Sequence, residues 1–152
     1  MKPQRLRLTH HLLLSYGLYQ QMEVFRPHQA SSEEMQAFHG KEYIDFLKKI
    51  SPALEHELES QCVEFGVGLA SDCPAFDGIY DFMSTCAGGS IDAAMRINRK
   101  DAEICVNWSG GLHHARKFRA EGFCYVNDIV LCIIELLKYH KRVLYVDIDI
   151  HQ

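Results

Sequence analysis

The sequence predicts an α/β fold in which helices cover a parallel β-sheet. The apolar segment "AEICVNW" is followed by a glycine-rich loop, the apolar helix "DIVLCIIELLKYH" and a second apolar segment, "RVLYVDIDI". A strand, a crossover helix and a second strand form a βαβ unit, whose strands run parallel and whose crossover is right-handed. Hydrophobic residues make up 47% of the chain, which is enough for a sizeable core.

Hydrophobic spacing and capping signals predict the helices that precede this unit. Residues 5–16 carry leucines on or near one helical face, and residues 78–98 repeat apolar side chains at helical spacing. Ser31 and Glu34 fit a capping box at the start of another helix, which Gly40 divides in two.

Two further predictions concern the segment before residue 78 and the helix after Asn127. Residues 51–74 have no clear period, so we expect a loop region with one short helix. Asn127 should cap the apolar helix that follows it, and that helix is predicted to be buried on most sides.

Charge and cysteine usage narrow the class of protein. The net charge is −4 and no long basic run occurs, which argues against direct nucleic-acid binding. No stretch has the length of a membrane span, and the N-terminus lacks the apolar segment of a secretory signal. The six cysteines form no C-x-x-C pair, so we expect reduced, buried thiols in an intracellular protein.

The last predicted strand carries three polar side chains on one face. Asp147, Asp149 and His151 alternate with Ile148 and Ile150, and residues two apart in a strand share a face. Carboxylate and imidazole are ordinary ligands of Zn²⁺. The alternative is a strand end with solvated acids. Acids inside a covered strand are costly without partners, which favours metal binding.

A second polar cluster follows the first predicted strand of the βαβ unit. In "WSGGLHHA", two glycines precede His113 and His114, which could be catalytic or simply satisfied core residues. Ligands bind beyond the carboxyl ends of parallel strands, so both clusters should meet in one crevice. A metal beside two histidines that do not bind it is a hydrolytic arrangement, because imidazoles can accept and donate the protons of the reaction.

Five motifs, taken together and in order, resemble one family. "MKPQRLRLTH", "DCPAFDG", "WSGGLHHA", "GFCYVND" and "LLKYHKRVLYVDIDIH" are similar to the class I histone deacetylases, which are zinc hydrolases. The resemblance implies a three-layer arginase/deacetylase-like α/β fold with a central parallel sheet, incomplete in this chain. Residues 1–152 would then be a partial catalytic domain, with its first strand and its C-terminal half outside this sequence.

The resemblance implies roles for the two clusters. Asp149 and His151 are similar to two of the three protein ligands of zinc, and His113 and His114 to the catalytic pair. Asp147 resembles the acid that orients His113 and helps to hold a structural potassium ion. The third zinc-binding aspartate and the tyrosine that polarises the acetyl carbonyl would lie beyond Gln152.

The same resemblance implies residues for the substrate. Asp72 is similar to the rim carboxylate that grips the substrate backbone, and Gly122 and Phe123 to the walls of the channel for the lysine stem. After the histidine pair, "RKFRAEGF" stands where the family usually has small and acidic residues. Four further positions resemble the inner cavity where acetate leaves (Arg5, Leu112 and Cys124) and a contact to inositol phosphate (Lys2).

The function that the resemblance implies is hydrolysis of the acetyl amide of N6-acetyl-lysine in histone tails. It also implies transcriptional repression in the nucleus, with the cytoplasm as a second location, and corepressor subunits as partners. One alternative is an inactive fragment or pseudoenzyme that acts only through partner binding. Another is an arginase-like enzyme with two manganese ions, which would need more ligands than these clusters supply.

Overall fold

The computed structural model describes residues 3–151, and within this range the chain is mainly helical. Two short 3₁₀ helices, Leu18–Gln21 and Pro52–Leu54, lie between the α-helices. The α-helices are α1 (Pro3–Ser15), α2 (Ser32–Met35), α3 (Lys41–Lys49), α4 (Glu59–Phe65), α5 (Ile79–Arg99) and α6 (Asp128–Leu137).

Helix α5 is the centre of the packing. Its buried side chains recur every three or four residues, which gives one apolar face along the helix; they include Ile79, Met83, Cys86, Ala87 and Ile91. Helix α6 packs against α5, and α3 contacts α5 as well. The core therefore lies between α5 and the shorter helices that precede and follow it.

The predicted helix boundaries are largely confirmed. The Ser31 hydroxyl accepts a hydrogen bond from the Glu34 amide at 3.1 Å, and the Ser31 amide donates to Glu34 Oε2 at 2.7 Å, so the capping box is present. Gly40 separates α2 from α3 as expected. Asn127 caps α6, because its Oδ1 accepts from the amide of Val130 at 3.1 Å.

The central parallel sheet is not present among residues 3–151. The pairings found there are two isolated antiparallel bridges, Arg116 with Arg119 and Glu121 with Cys124. The predicted strands 102–108 and 142–150 have no ladder partner, and Ile104 and Ile148 are 84% and 94% exposed. A strand needs a neighbour for its backbone N–H and C=O groups, and these two segments are not placed beside each other or beside a third.

Helix α6 is less buried than the sequence predicts. Asp128 and Leu131 are its buried residues, while its other side chains are half-buried or exposed. The reason is geometric, because α5 covers one face and no sheet covers the other within the described range.

The expectation of free, buried thiols is confirmed for four of the six cysteines. All six are free thiols; Cys62, Cys73, Cys86 and Cys124 are buried and the other two are half-buried. Burial raises the pKa of Cys73 and of Cys86 to about 12, so both thiols stay protonated at neutral pH. Across residues 3–151, none of the helices is sufficiently long and apolar to cross a bilayer.

Candidate functional site

The start of helix α6 holds the loop that carries the histidine pair. The carboxylate of Asp128, 2% exposed, accepts the backbone amides of Gly111 at 3.1 Å and Leu112 at 2.8 Å. The side-chain amide of Asn127 donates to the carbonyl oxygens of Ala115 at 3.0 Å and His113 at 3.4 Å. The loop is therefore fixed on both sides of the histidines by two consecutive residues.

The structure brings the two polar clusters into contact although no sheet is present in the described range, residues 3–151. His113 Nδ1 lies 2.5 Å from Asp147 Oδ2. A carboxylate only accepts hydrogen bonds, so Nδ1 carries the proton and Nε2 is the unprotonated nitrogen of the neutral ring. The His114 ring stands edge-on to that of His113, with ring centroids 4.1 Å apart and an interplanar angle of 80°.

Asp147 is held in its ionised form. Its pKa is lowered to about 2, first by the hydrogen bond from the Tyr145 hydroxyl, then by the Asp149 amide at 2.9 Å, and then by His113. Hydrogen bonds to the charged form favour that form. Burial, followed by the contact with Asp147, raises the pKa of Tyr145 to about 12, so the phenol remains a donor at neutral pH.

The two predicted zinc ligands lie together at the end of the described chain. His151 Nδ1 is 2.7 Å from Asp149 Oδ1, and the His151 amide donates to the same oxygen at 2.8 Å. An oxygen and a nitrogen donor fit zinc chemically, but a zinc site normally has four ligands. Within residues 3–151, no group of three or more His, Cys, Asp or Glu side chains is arranged to hold a metal.

A strained turn lies against His114. Glu121 and Cys124 exchange backbone hydrogen bonds of 3.0 and 2.9 Å around Gly122 and Phe123, which have φ of +56° and +63°. Positive φ at both central residues is typical of a type I′ turn. For Phe123 this backbone conformation costs about 1–3 kcal/mol. A Cβ on Gly122 would lie 2.5 Å from the His114 ring, so glycine permits this close contact.

The predicted rim carboxylate joins the same turn. Asp72 is exposed, and its Oδ2 accepts the backbone amide of Gly122 at 3.1 Å. Phe123, the residue after Gly122 in the turn, has an exposed side chain. Asp72, Gly122 and Phe123 therefore lie beside His114 as one group, although their roles toward a substrate stay predictions.

The remaining predicted residues are not all brought together. Leu112 and Cys124 are buried, at 2% and 6% exposure, and the Cys124 thiol donates to the Gly122 carbonyl at 3.4 Å. Arg5 is exposed on α1, so it is not enclosed in a cavity here. Lys2 lies outside the described residues.

The unusual loop after the histidine pair is held by contacts within the fold. Arg116 forms an ion pair with Glu121, with Nε 2.6 Å from Oε2. The Phe118 ring covers Gly40, where a Cβ would lie 2.4 Å from the ring. Arg119 places its guanidinium beside Gly66 at the C-terminal end of α4, where a positive charge is favoured by the helix dipole.

Sequence reasoning did not identify Asp128 or Tyr145 as parts of the site. Tyr145 could have been found, because it stands two residues before Asp147 and shares its face in an extended chain. Asp128 follows a helix cap, where an acid is usually solvated, and its contacts with residues 17 and 16 positions earlier have no local signal.

Comparisons with known proteins agree with these motifs. A family model described as histone deacetylase domain matches residues 1–152. Histone deacetylase HDAC1 of Drosophila melanogaster is 58% identical over 99% of this chain and 29% of its own length. Probable histone deacetylase 1-A of Xenopus laevis is 58% identical and histone deacetylase 1 of Homo sapiens 56%, each over 99% of this chain and 31% of its own length.

The chain thus spans less than a third of the length of these curated relatives, at 29–31%. The match to the family model nonetheless covers the chain from its first residue to its last. The chain belongs to the histone deacetylase family.

Proposed function

We propose that the protein containing this chain is a zinc-dependent histone deacetylase, which hydrolyses the acetyl amide of N6-acetyl-lysine in histone tails. The observation that carries the proposal is the contact between His113 and Asp147, with His114 packed against the same ring. The relatives' names, histone deacetylases at 56–58% identity, support the same reaction.

The chain's own residues can perform the proton transfers of this hydrolysis. Asp147 stays ionised because its pKa is about 2, so it fixes the proton of His113 on Nδ1 and leaves Nε2 able to accept another. One imidazole of the pair accepts the proton of the attacking water, and the other donates a proton to the leaving amine. The close packing of the two rings places acceptor and donor side by side.

Asp149 and His151 are the residues that would contribute to zinc binding. Both side chains are exposed and their donor atoms converge, with 2.7 Å between Nδ1 and Oδ1. When bound, zinc supplies a Lewis acid that polarises the acetyl carbonyl and lowers the pKa of its water to about 7. By the same resemblance, Asp147 would help to hold a structural potassium ion.

The proposal also includes residues that contact the substrate and partners in the cell. Asp72 would grip the substrate backbone beside Gly122 and Phe123, which would flank the lysine stem. The predicted inner cavity would include Leu112 and Cys124. Within the cell, we propose transcriptional repression in the nucleus, with corepressor subunits and with inositol phosphate near Lys2, and a second location in the cytoplasm.

The test is acetate release from an acetylated histone peptide by the natural full-length protein, with zinc content measured in parallel. We expect turnover that is lost with a chelator and restored by zinc. A matched peptide that carries a non-hydrolysable N6-alkyl group in place of acetyl is the control for binding. Binding of both peptides without release of acetate would contradict the enzyme and favour a pseudoenzyme that acts through partners.

A further inference from the structure

We propose that Asp128, supported by Ser90, is a positioning residue for the histidine pair. The inference rests on the proposed function, because it assigns a residue that acts on the reaction through His113 and His114. Asp128 does not contact either imidazole by a hydrogen bond; it acts on the backbone immediately before them.

The first step concerns the burial and the hydrogen bonds of the Asp128 carboxylate. It is 2% exposed, and burying an acid is costly unless its oxygens are hydrogen-bonded. The Gly111 amide approaches both oxygens at 3.1 Å, the Leu112 amide donates to Oδ1 at 2.8 Å, and the Ser90 hydroxyl donates to Oδ2 at 2.6 Å. Two of the three donors are therefore backbone amides of the residues just before His113.

The second step is the support behind the carboxylate. Asn107 Nδ2 donates to the Ser90 hydroxyl oxygen at 2.9 Å and to the Cys86 carbonyl at 2.9 Å. Because the Ser90 hydroxyl oxygen accepts from Asn107, the hydroxyl proton of Ser90 is directed to Asp128. Gly110 has no room for a Cβ, which would collide with Asp128 Oδ2. The carboxylate is thus held by α5 and can fix the loop rather than follow it.

The third step is the effect on the histidines. Asp128 fixes the backbone before the pair, while Asn127 holds the carbonyl oxygens of His113 and Ala115. The backbone from which both imidazoles project is therefore held before and after the pair. A misplacement of about 1 Å in such a group can lower the rate by about 10²-fold.

The primary variant is Asp128→Asn, which keeps the shape but turns one acceptor oxygen into a donor that faces another donor. In the natural full-length protein, we expect kcat for the acetylated histone peptide to fall by about 10²-fold, while KM changes by less than about twofold. The matched control is Asp92→Asn on α5, the helix that carries Ser90. Asp92 is half-buried and accepts the His28 amide at 3.0 Å, away from the loop, so kcat should be unchanged.

A second measurement does not depend on activity. Hydrogen exchange at the amides of Gly111 and Leu112 should become faster in Asp128→Asn and stay unchanged in Asp92→Asn. If Asp128→Asn does not fold, Ser90→Ala replaces it, with faster exchange at Gly111 and a several-fold lower kcat expected. A variant with unchanged exchange at these amides, or with wild-type kcat, overturns the inference. If the wild-type protein releases no acetate, the proposed function fails, and exchange alone decides whether Asp128 holds the loop.

Discussion

At the scale of single residues, conformational strain is concentrated beside His114. Phe123 and Lys100 are the non-glycine residues with positive φ in the described range, and Lys100 merely ends α5. Phe123 instead follows Gly122, which contacts the His114 ring and donates to Asp72. Strain of about 1–3 kcal/mol persists where the surrounding contacts over-determine the conformation. This turn therefore determines how the rim meets the histidine pair.

Replacing Gly122 by alanine tests this contact. At φ of +56° a Cβ alone costs about 1–2 kcal/mol, and here it would also lie 2.5 Å from the His114 ring. The control is Gly78→Ala, because Gly78 has φ of +77° and open space around its Cβ position. In urea unfolding, the free energy of unfolding should fall by at least about 1 kcal/mol more in Gly122→Ala than in Gly78→Ala, because overpacking costs about this much. Equal losses would mean that the contact with His114 relaxes freely.

The roles assigned to the two clusters predict opposite effects on metal and turnover. In the natural full-length protein, His114→Ala should lower the turnover of an acetylated histone peptide by about 10²–10⁴-fold and retain zinc, because general acid–base catalysis contributes about this much. Asp149→Ala should instead lose zinc, since it removes a ligand. Metal analysis of both variants, beside peptide turnover, is the measurement. A His114→Ala protein without zinc would make His114 a ligand and invert the assignment.

At the scale of secondary-structure elements, a buried histidine connects helices α2–α3 to the start of α6. His39, 2% exposed, accepts the Asn127 amide on Nε2 at 2.9 Å, and its Nδ1 lies 3.2 Å from the Lys117 carbonyl. Both contacts are satisfied by the neutral ring with its proton on Nδ1. Protonation of Nε2 would place two donors face to face at the cap of α6.

Stability should therefore fall as the medium becomes acidic. Burial lowers the pKa of His39 from 6.5 to about 4, so between these values the unfolded chain binds the proton and the folded one does not. The stabilisation is complete above pH 6.5 and is lost as the pH falls toward 4. At about 1.4 kcal/mol for each pKa unit, the loss can reach about 3 kcal/mol.

The measurement is urea unfolding of the wild type and of His39→Gln over this pH range. The variant lacks the titrating group, so the difference between the two proteins should shrink as the pH falls. His140→Gln, at an exposed histidine, is the control. Its free energy of unfolding should change with pH in the same way as that of the wild type. A constant difference between wild type and His39→Gln would contradict the neutral, buried state of His39.

The elements that the sequence predicted well are those with local signals. The capping box at Ser31, the division at Gly40 and the cap at Asn127 involve neighbours within four residues, so their chemistry is visible in the sequence. The polar residues at two predicted strand ends indicated that the two clusters meet, and the family resemblance implied the pairing of His113 with Asp147. This contact forms across 34 residues although no sheet is present among residues 3–151. The three hydrogen-bond donors to Asp128 could not be predicted, because nothing local distinguishes a buried acid after a helix cap from a solvated one.

At the scale of the whole molecule, the described fold has one well-packed side and one bare side. Helices α3 and α5 enclose the core, whereas the segment after α6 leaves its apolar residues uncovered. Leu144, Ile148 and Ile150 are 86%, 94% and 89% exposed, and they alternate with the polar residues of the candidate site. Contiguous apolar surface and unpaired backbone of this kind favour association between molecules.

A polypeptide of residues 1–152, expressed alone, should therefore self-associate and hold no zinc tightly. The two proposed zinc ligands, Asp149 and His151, would leave the cation mostly to water, so metal analysis after dialysis should find little zinc and the peptide assay no acetate. Sedimentation velocity over a range of concentrations should show oligomers. Leu144→Lys with Ile148→Lys should reduce them, because charge on an unpaired segment opposes pairing. Leu69→Lys is the control, since Leu69 is 92% exposed but lies on a loop outside this segment. A monomer at every concentration, with one firmly bound zinc and measurable turnover, would show that these residues build a complete site without further ligands.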